Sequence, residues 1–348
     1  MADATLDAPG AEAFELSVIL VNFNGKDVLP AAVDALQRNT TTGRTEIIVV
    51  DSGSDDGSAD ALPAGRIPAR VIRRDENVGF CRGNNIGAQA ASGRVICFTQ
   101  TDGEVEPGWD APLLRALEDP AIAVAGGVVM KLGTDLIDSA GIAIAPNLAA
   151  WSLHENENVE QAGLVGEVMR DVVGVSPALL AVRAEDHAYI GGFWEKLWMY
   201  GDEPDYALRI RARGRAVVCT GSRMLHRVGA ASGAMQSPLR LRCSARNKLL
   251  NIARHTPSSR VPFAMLLAVG FDVLQMMQTR NGPALRAILK GWREGLAGVG
   301  EARRTSTPAE RARTAQYIEP LGEALKEQRR LGRLALDAGA EPKQRGHE

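Results

Sequence analysis

Two short apolar runs near the start of the chain, separated by a helical pattern, constrain its fold more than any other feature. Residues 16–21 and 46–50 are rich in Val, Ile and Leu, and residues 28–38 repeat apolar side chains at helical spacing. A strand, a helix and a strand within about 40 residues form a βαβ unit with parallel strands. The sequence therefore predicts an α/β protein whose mostly parallel central sheet is flanked by helices.

Polar side chains directly follow the predicted strands. Asn22 follows the first run, Asp51 follows the second, and Asp102 comes shortly after a further strand predicted at residues 94–99. Ligands of open parallel sheets bind at the carboxyl ends of the strands. We therefore expect these side chains at one edge, where a carboxylate such as Asp102 is placed to hold a hard cation on a diphosphate.

The loop after the second strand, residues 51–58, leaves two interpretations open. It does not match a calcium loop, because Gly53 and Asp56 stand where a ligand and the loop glycine are required. It is either an ordinary Asx and glycine turn or a loop in which Asp51 accepts hydrogen bonds from a base or ribose. No GxGxxG or GxxxxGK[ST] pattern follows the strands, so a nucleotide would need another mode of binding.

Asp202, Glu203 and Asp205 form a dense carboxylate cluster directly after the aromatic-rich segment 193–200. Removing such a cluster from water is costly unless a metal, protons or a cationic partner offset the charge. The cluster is predicted to be either a functional site or a helix N-terminus, where acidic side chains complement the helix dipole.

The composition is that of an ordinary globular protein, with 45% hydrophobic and 24% charged residues in 348. The four cysteines show no CxxC spacing, which argues against a zinc site or a disulfide framework and favours a reducing compartment. Residues 1–15 lack the basic and apolar regions of a secretory signal and are predicted to be a flexible tail.

Positive charge is concentrated in the last third of the chain. Residues 240–348 contain 20 Lys and Arg against 10 Asp and Glu, and Asp272 is the sole acidic residue within 240–293. Such a region favours phosphate-bearing partners. Nucleic acid is not expected, because no aromatic residues alternate with the charges and no known binding motif is present.

The apolar helix predicted at residues 261–279 leaves its environment open. It is too short and too polar for a transmembrane span. The surrounding basic residues suit a helix lying in the interface of an anionic membrane. The alternative is a buried helix that packs on the rest of the chain or on a second copy in a homodimer. Residues 301–336 are also predicted to be helical and amphipathic.

Seven short motifs follow one another in a recognisable order. They are Val21-Asn22-Phe23-Asn24-Gly25, residues 50–58, residues 77–87, Gln100-Thr101-Asp102, Gly191-Gly192-Phe193-Trp194-Glu195, residues 200–209 and His226. In this order the chain resembles the family 2 glycosyltransferases of the GT-A fold, especially their bacterial rhamnosyltransferase-like branch. The resemblance extends over residues 16–255.

The resemblance implies a domain organisation. Residues 16–239 would form the GT-A catalytic domain, with a nucleotide-sugar half at about 16–110 and an acceptor half at about 120–239. Beyond this domain, composition predicts a helical, basic region at 240–337 that either associates with a membrane or packs on the rest of the chain. Residues 338–348 would be a second tail.

The resemblance also implies roles for individual residues. Asp51 would receive the base, and Asp102 and His226 would hold a divalent metal, Mg²⁺ or Mn²⁺, on the diphosphate. The residues expected to bind the nucleotide sugar are Val21, Asn22, Asn24, Asp51, Ser54, Asn77, Gly79, Asn85 and Asp102. Those expected to bind the acceptor are Trp198, Tyr200 and Asp205. Gln100-Thr101 replaces the Asn-Pro of the branch, and no Asp-x-Asp is present.

The catalytic base is expected within the carboxylate cluster. In the family the second acid of the pair takes the proton of the acceptor hydroxyl, and that position is Glu203. The chain has Asp-Glu where the branch has Glu-Asp, so Asp202 is the alternative.

The expected activity is inverting transfer of a sugar from a nucleoside-diphosphate sugar to a hydroxyl of a glycan or lipid-linked acceptor. The branch favours dTDP-rhamnose, with a UDP- or GDP-sugar as the alternative, in polysaccharide or cell-envelope biosynthesis. The expected location is the cytoplasm, including the cytoplasmic face of the inner membrane. A noncatalytic nucleotide-sugar-binding protein or a membrane scaffold are the other hypotheses.

Overall fold

The chain folds around a ten-stranded mixed sheet, in a computed structural model that describes residues 14–60, 62–227, 237–279, 282–327 and 330. The strands are β1 (Leu16–Asn22), β2 (Thr45–Ser52), β3 (Ala69–Arg74), β4 (Val95–Thr99), β5 (Gly103–Val105), β6 (Ile122–Lys131), β7 (Ile137–Ser139), β8 (Ile142–Ile144), β9 (Ala150–Ser152), β10 (Met169–Val172), β11 (Leu179–Arg183) and β12 (Arg215–His226). Of these, β8 and β9 form a separate two-stranded sheet. The predicted α/β class is confirmed.

Helices cover both faces of the sheet. They are α1 (Leu29–Asn39), α2 (Gly79–Ala90), α3 (Asp110–Ala116), α4 (Ala184–Tyr189), α5 (Asp202–Ile210), α6 (Pro238–His255), α7 (Val261–Thr279), α8 (Gly282–Arg304) and α9 (Pro308–Thr314), with 3₁₀ turns at Glu195–Leu197, Ser258–Arg260 and Ala315–Tyr317. One face of the sheet packs on α1 and α3, and the other packs on α2, α5 and α6. This arrangement buries each central strand on both sides.

The strand order brings the carboxyl ends of six strands to one edge. Across the sheet the order is β10-β12-β6-β11-β4-β1-β2-β3. The strands β3, β2, β1, β4, β6 and β12 run in one direction, and β11 is antiparallel to its neighbours β4 and β6. Because β1 pairs in register with β2, Asn22 lies directly beside Asp51. The predicted meeting of these two residues is confirmed.

The burial of the strands follows their sequences. The strands β1, β2 and β4 each contain a continuous apolar run and are buried almost throughout. This burial is expected for the inner strands of a parallel sheet. The edge strand β3 instead exposes Arg70, Arg73 and Arg74. Charged side chains on an edge strand oppose pairing with other chains.

Residues 133–170 contain short strands as well as loops. They contain β7, which pairs with β6, and the hairpin of β8 and β9. Ile137, Ile142 and Ile144 of these strands are buried. Strands of three residues are too short for apolar alternation to be visible in the sequence.

The helix α8 approaches α6 closely because glycines face it. A Cβ atom on Gly291 would lie 2.4 Å from the carbonyl oxygen of Arg242, and one on Gly295 would lie 2.9 Å from that of Arg246. Any larger side chain at these positions would push the helices apart. The pair α6 and α8 therefore forms one packed layer on the α/β domain.

The helix predicted at 261–279 has two different faces. Its buried face, with Ala264 and Ala268, packs with Leu208, Leu249 and Ile252 of α5 and α6. Packing on the rest of the chain, one of the two alternatives left open, is therefore confirmed for this face. The opposite face is exposed.

The helix predicted through residues 301–336 is interrupted. After α8 ends at Arg304, α9 starts anew at Pro308, with a capping box between Thr307 and Glu310. Residues 331–337, the predicted tail 338–348 and residues 1–13 of the other predicted tail lie outside the described residues.

Candidate active site

The buried amide of Asn22 joins β1 to the loop that follows β2. Its Nδ2 lies 3.0 Å from Asp51 Oδ1, 3.1 Å from Ser54 Oγ and 2.8 Å from Ser58 Oγ. Ser54 in turn donates a hydrogen bond of 2.6 Å to Asp51 Oδ1. The carboxylate is thereby fixed at the binding edge of the sheet, with Asp51 Oδ2 3.7 Å from the guanidinium of Arg73. Asn22, Asp51 and Ser54, three of the residues expected to bind the nucleotide sugar, are thus brought together.

The turn after β1 is tied to the same loop. The Asn24 backbone N–H donates to Ser54 Oγ, and the Asn24 side chain accepts from the Asp55 N–H. Asn24 itself is exposed and has a left-handed backbone with φ of 52°, which Asn tolerates better than most residues. These hydrogen bonds therefore hold the two turns in place against each other.

The segment after β3 lies beside this loop. Ser52 donates to Asn77 Oδ1 and receives the N–H of Val78. At Gly79, where φ is +78°, a Cβ atom would lie 2.4 Å from the indole of Trp198. Glycine is required here by both the backbone and the close indole. Trp198, expected at the acceptor site, thus contacts the segment expected to bind the donor.

Two other residues expected to bind the nucleotide sugar have side chains that contact neighbouring parts of the protein. Asn85 donates to the Phe193 carbonyl at 2.9 Å and to Glu195 Oε1 at 3.0 Å, and accepts from the Phe193 N–H. Val21 packs under α2, where a Cβ atom on Gly83 would lie 2.7 Å from its Cγ1. Both residues position α2 against the site, and these contacts give them a supporting role.

Asp102, Asp138 and His226 come together from three strands or strand ends. His226, the last residue of β12, has its Nε2 3.5 Å from Asp102 Oδ1 and its Nδ1 2.8 Å from Asp138 Oδ2. Burial alone would lower the pKa of His226, but the hydrogen bonds and charges of the two carboxylates outweigh it and raise the pKa to about 9.

The cluster of Asp102, Asp138 and His226 fits a divalent cation, although it offers few protein ligands. Among the described residues, no group of three or more His, Cys, Asp and Glu side chains has the geometry of a metal site. Asp102 Oδ1 and His226 Nε2 nevertheless face each other at 3.5 Å. Asp138 orients the other ring nitrogen, as carboxylates do behind metal-bound histidines. Two protein ligands suit a cation that is also held by a diphosphate.

The carboxylate cluster lies at the start of α5. The helix begins at Asp202, so all three acids occupy its first turn. Burial and the charge of Glu203 raise the pKa of Asp202, which is 6% exposed, to about 7. The helix N-terminus, one of the two interpretations left open, is therefore confirmed as their location.

Glu203 is partly buried and borders the Asp138 cluster. Burial raises the pKa of Glu203, and the charge of Asp138 acts in the same direction. The charge of Arg240 and a hydrogen bond from Ser176 lower it. A carboxylate with a raised pKa is a better proton acceptor near neutral pH than an ordinary glutamate.

Asp205 lies away from these groups. One oxygen accepts from Arg254 and His255, both at 2.8 Å, and the other accepts from Arg209 at 2.6 Å and 2.9 Å. Asp205 is 1% exposed. Because α6 and α5 occupy both oxygens, this placement does not support the acceptor contact that we expected of Asp205.

The loop before α5 is held in a strained conformation by α6. Trp198 and Tyr200 have positive φ angles of 62° and 64°, which costs about 1–3 kcal/mol per residue in the absence of compensation. The Asn247 Nδ2 lies 2.9, 3.0 and 2.6 Å from the carbonyl oxygens of residues 197, 199 and 200. Asn251 donates to the carbonyl of Gly201 at 2.7 Å. Helix α6 of the basic region thus fixes the conformation of the loop that leads to Glu203.

Replacing Asn247 by Ala is expected to lower kcat by up to about 100-fold, because a misplaced catalytic group costs rate without removing substrate contacts. KM for the donor should stay within a factor of a few. Arg242→Gln is the matched control, since Arg242 lies on the same helix but pairs with Glu294 of α8. A rise in KM alone would contradict this positioning role.

Several residues of the site were not expected from the sequence. Asp138, Arg240 and Asn247 lie outside the recognised motifs. Arg240 lies over the Tyr200 ring, with 5.2 Å from its guanidinium carbon to the ring centroid. The basic spacing of α6 is visible in the sequence, but it does not indicate which cations face the site.

Comparison with known proteins finds a similar family. Residues 17–160 match the family described as glycosyl transferase family 2. Over these residues the chain is similar to this family. The match includes Asn22, Asp51, Asp102 and Asp138, whereas Glu203 and His226 lie beyond it.

The curated relatives are matched over only part of their own length. O-antigen biosynthesis protein RfbC of Myxococcus xanthus is 27% identical over 233 residues, which cover 64% of this chain and 18% of RfbC. The uncharacterized glycosyltransferase YibD of Escherichia coli is 27% identical over 172 residues, or 46% of this chain and 49% of YibD. The chain thus spans half or less of these relatives.

Among solved structures, GalNAc-T7 with UDP, GalNAc and Mn²⁺ has a TM-score of 0.54 at 18% identity, over 70% of this chain and 48% of that chain. At this identity the likeness shows the fold alone. It confirms the expected GT-A architecture.

Proposed function

We propose that the chain is an inverting glycosyltransferase that moves a sugar from a nucleoside-diphosphate sugar to a hydroxyl of a glycan or lipid-linked acceptor. The observation that carries the proposal is the position of Asp138. It accepts from His226 on one side and its charge acts on Glu203 on the other. Asp138, which orients the expected metal ligand His226, is therefore near enough to the expected base Glu203 for its charge to act on it.

The donor would lie along the carboxyl ends of β1 and β2. Asp51 has one oxygen engaged with Asn22 and Ser54, and its other oxygen is suited to accept from a base. Asn24, Asn77 and Gly79 border the same edge. The absence of a phosphate-binding glycine loop from the sequence agrees with a diphosphate held by a cation instead.

A bound Mg²⁺ or Mn²⁺ would neutralise charge on the departing diphosphate. Asp102 and His226 would hold it, with Asp138 fixing the histidine ring. Mn²⁺ accompanies UDP in the GalNAc-T7 structure, which supports the choice of cation. The proposal needs no third protein ligand.

Glu203 would take the proton of the acceptor hydroxyl as its oxygen attacks the anomeric carbon. The bond from that carbon to the diphosphate oxygen breaks, and the nucleoside diphosphate leaves. Attack from the opposite side inverts the anomeric centre. Trp198 and Tyr200, whose loop precedes α5, would contact the acceptor, and Asp202 remains the alternative base.

The biological role is proposed from the relatives. RfbC is named for O-antigen biosynthesis, and a polysaccharide or cell-envelope product is in keeping with that name. The donor is proposed to be dTDP-rhamnose, or otherwise a UDP- or GDP-sugar. Synthesis would take place in the cytoplasm at the inner face of the membrane.

The proposal is tested by thermal unfolding with dTDP, UDP and GDP, each with and without Mn²⁺ or Mg²⁺. One nucleotide should raise Tm in a metal-dependent way, because a ligand at 100 times its Kd stabilises the folded state by about 2.7 kcal/mol. Donor turnover and the anomeric configuration of the product are then measured with that nucleotide sugar.

Asp102→Asn is expected to abolish the metal-dependent part of this rise. Because His226 loses one of its two carboxylate neighbours, the unliganded Tm should fall as well, so the rise is measured from the unliganded Tm of each variant. Glu118→Gln is the matched control, because Glu118 is exposed directly before β6, at the opposite edge of the sheet. The proposal is wrong if no nucleotide raises Tm with either metal. Metal-dependent binding without turnover would instead favour a noncatalytic nucleotide-sugar-binding protein.

A further inference from the structure

The exposed face of α7 is apolar along its length. Phe263, Leu266, Leu274 and Met277 are 49%, 69%, 56% and 66% exposed. With the exposed Val273 and Gly270, their spacing places them in one stripe of about 100° on a helix of 3.6 residues per turn. Isolated surface leucines are normal, but a contiguous stripe of this kind marks an interaction surface.

The neighbouring helix α8 extends this surface. Leu285, Leu289 and Leu296 are exposed and lie on one edge of α8. The Trp292 indole, next to this edge on the helix, donates to Asp272 of α7 at 2.8 Å. The leucine edge of α8 therefore borders α7, and the two helices present one apolar surface.

Basic side chains border the apolar surface. Arg286, Lys290 and Arg293 are exposed on the other edge of α8, and Arg260 is exposed directly before α7. The sole acidic residue of α7, Asp272, is buried against Lys248 and Trp292. The acids Glu294 and Glu301 of α8 pair with Arg242 and Lys196. The exposed charge beside the leucines is therefore positive.

Other cations of the basic region are not available to a partner. Arg242, Lys248 and Arg254 pair with Glu294, Asp272 and Asp205, and Arg246 donates to the carbonyl of Leu197 at 2.6 Å. The excess of positive charge seen in the sequence is thus partly internal. The exposed positive charge that borders the apolar surface lies along α8 and directly before α7.

We propose that α7 and α8 dock the protein on an anionic membrane, lying in the interface with the leucine and phenylalanine side chains below the phosphate groups. Exposed apolar side chains beside Arg and Lys are the combination that binds such interfaces. No helix within the described residues has the length and hydropathy needed to span a bilayer.

A second copy of the chain is a less suitable partner for this surface than an anionic membrane. In a two-fold symmetric dimer the same patch meets itself, so Arg286, Lys290 and Arg293 would approach their own counterparts. Lipid phosphates would neutralise these charges instead. The docked surface also lies one helix layer from the site, since α6 contacts both α8 and the 197–201 loop.

The test is co-flotation of the full chain with vesicles of phosphatidylcholine alone or of phosphatidylcholine with phosphatidylglycerol. We expect binding to the anionic vesicles that weakens with salt. The double variant Leu266→Glu/Leu274→Glu should reduce it at least about tenfold, since it puts charge into the apolar interface. Val165→Glu is the control, because Val165 is 61% exposed outside this surface.

Three outcomes would overturn the proposal. The first is no binding to anionic vesicles at low salt by protein that circular dichroism shows to be folded. The second is binding that salt abolishes but the double variant leaves unchanged, which would mean adsorption by charge alone. The third is a dimer, seen by sedimentation, that the double variant dissociates while vesicles remain unbound. Nucleotide binding is independent of all three, so they do not bear on the proposed activity.

Discussion

Glu203→Gln should lower kcat for sugar transfer by roughly two to four orders of magnitude, the usual contribution of a general base. The amide keeps the size of the side chain and its hydrogen bond with Ser176, but it cannot take a proton from the acceptor hydroxyl. Nucleotide binding should persist, because the residues expected to hold the donor lie at the ends of β1, β2 and β4. The measurements are single-turnover transfer and nucleotide-induced change in Tm.

Asp202→Asn is the matched control for this prediction. It removes a carboxylate one position away, and the pKa of Asp202 is raised to about 7 by burial and by Glu203. Removing the charge of Asp202 should lower the pKa of Glu203 and reduce kcat modestly, by less than tenfold. If Asp202→Asn abolishes transfer and Glu203→Gln does not, Asp202 is the base and our assignment is wrong.

The donor side of the site could be predicted because parallel strands in register bring residues that follow them to one edge. Asn22 and Asp51 are one such pair, and each directly follows a run that is apolar enough to identify as a strand. Ser54 follows from the same loop. No comparable rule applies to Asp138, which lies in the three-residue strand β7 and contacts His226 across 88 positions of sequence.

The acidic cluster shows why sequence proximity is a poor guide to a shared role. Glu203 and Asp205 are two positions apart, so on a helix of 3.6 residues per turn they differ by about 200°. Because α5 begins at Asp202, they face opposite sides. The sequence alone does not show where the helix starts, so it does not reveal this divergence.

The C-terminal region was also only partly predictable. Helical spacing and positive charge are visible in the sequence, but the partners of each cation depend on tertiary packing. Arg254 and Arg242 form internal ion pairs. Asn247 is uncharged, so the charge pattern does not single it out, but it contacts three carbonyl oxygens of the strained loop. Its role follows from the close packing of α6 against that loop.

Asp205→Asn should destabilise the protein by about 3–5 kcal/mol, the range for breaking a buried ion pair by removing one partner. Burial alone would raise the pKa of Asp205, but Arg209, Arg254 and His255 outweigh it and hold the pKa far below 3.8. The carboxylate is therefore ionised at neutral pH, and its stabilisation is lost only as the pH falls below the unfolded-state value. Its loss leaves the largely buried Arg254 and Arg209 without their carboxylate.

Asp34→Asn is the matched control, because Asp34 also pairs with an arginine four residues along a helix but is about half exposed. Exposed pairs of this kind contribute about 0.3–0.5 kcal/mol. In urea unfolding at pH 7, the loss of unfolding free energy should be about tenfold larger for Asp205→Asn than for Asp34→Asn. Similar losses in both would mean that the Asp205 network adds no more than a surface pair, and α6 would then be held on α5 by apolar packing alone.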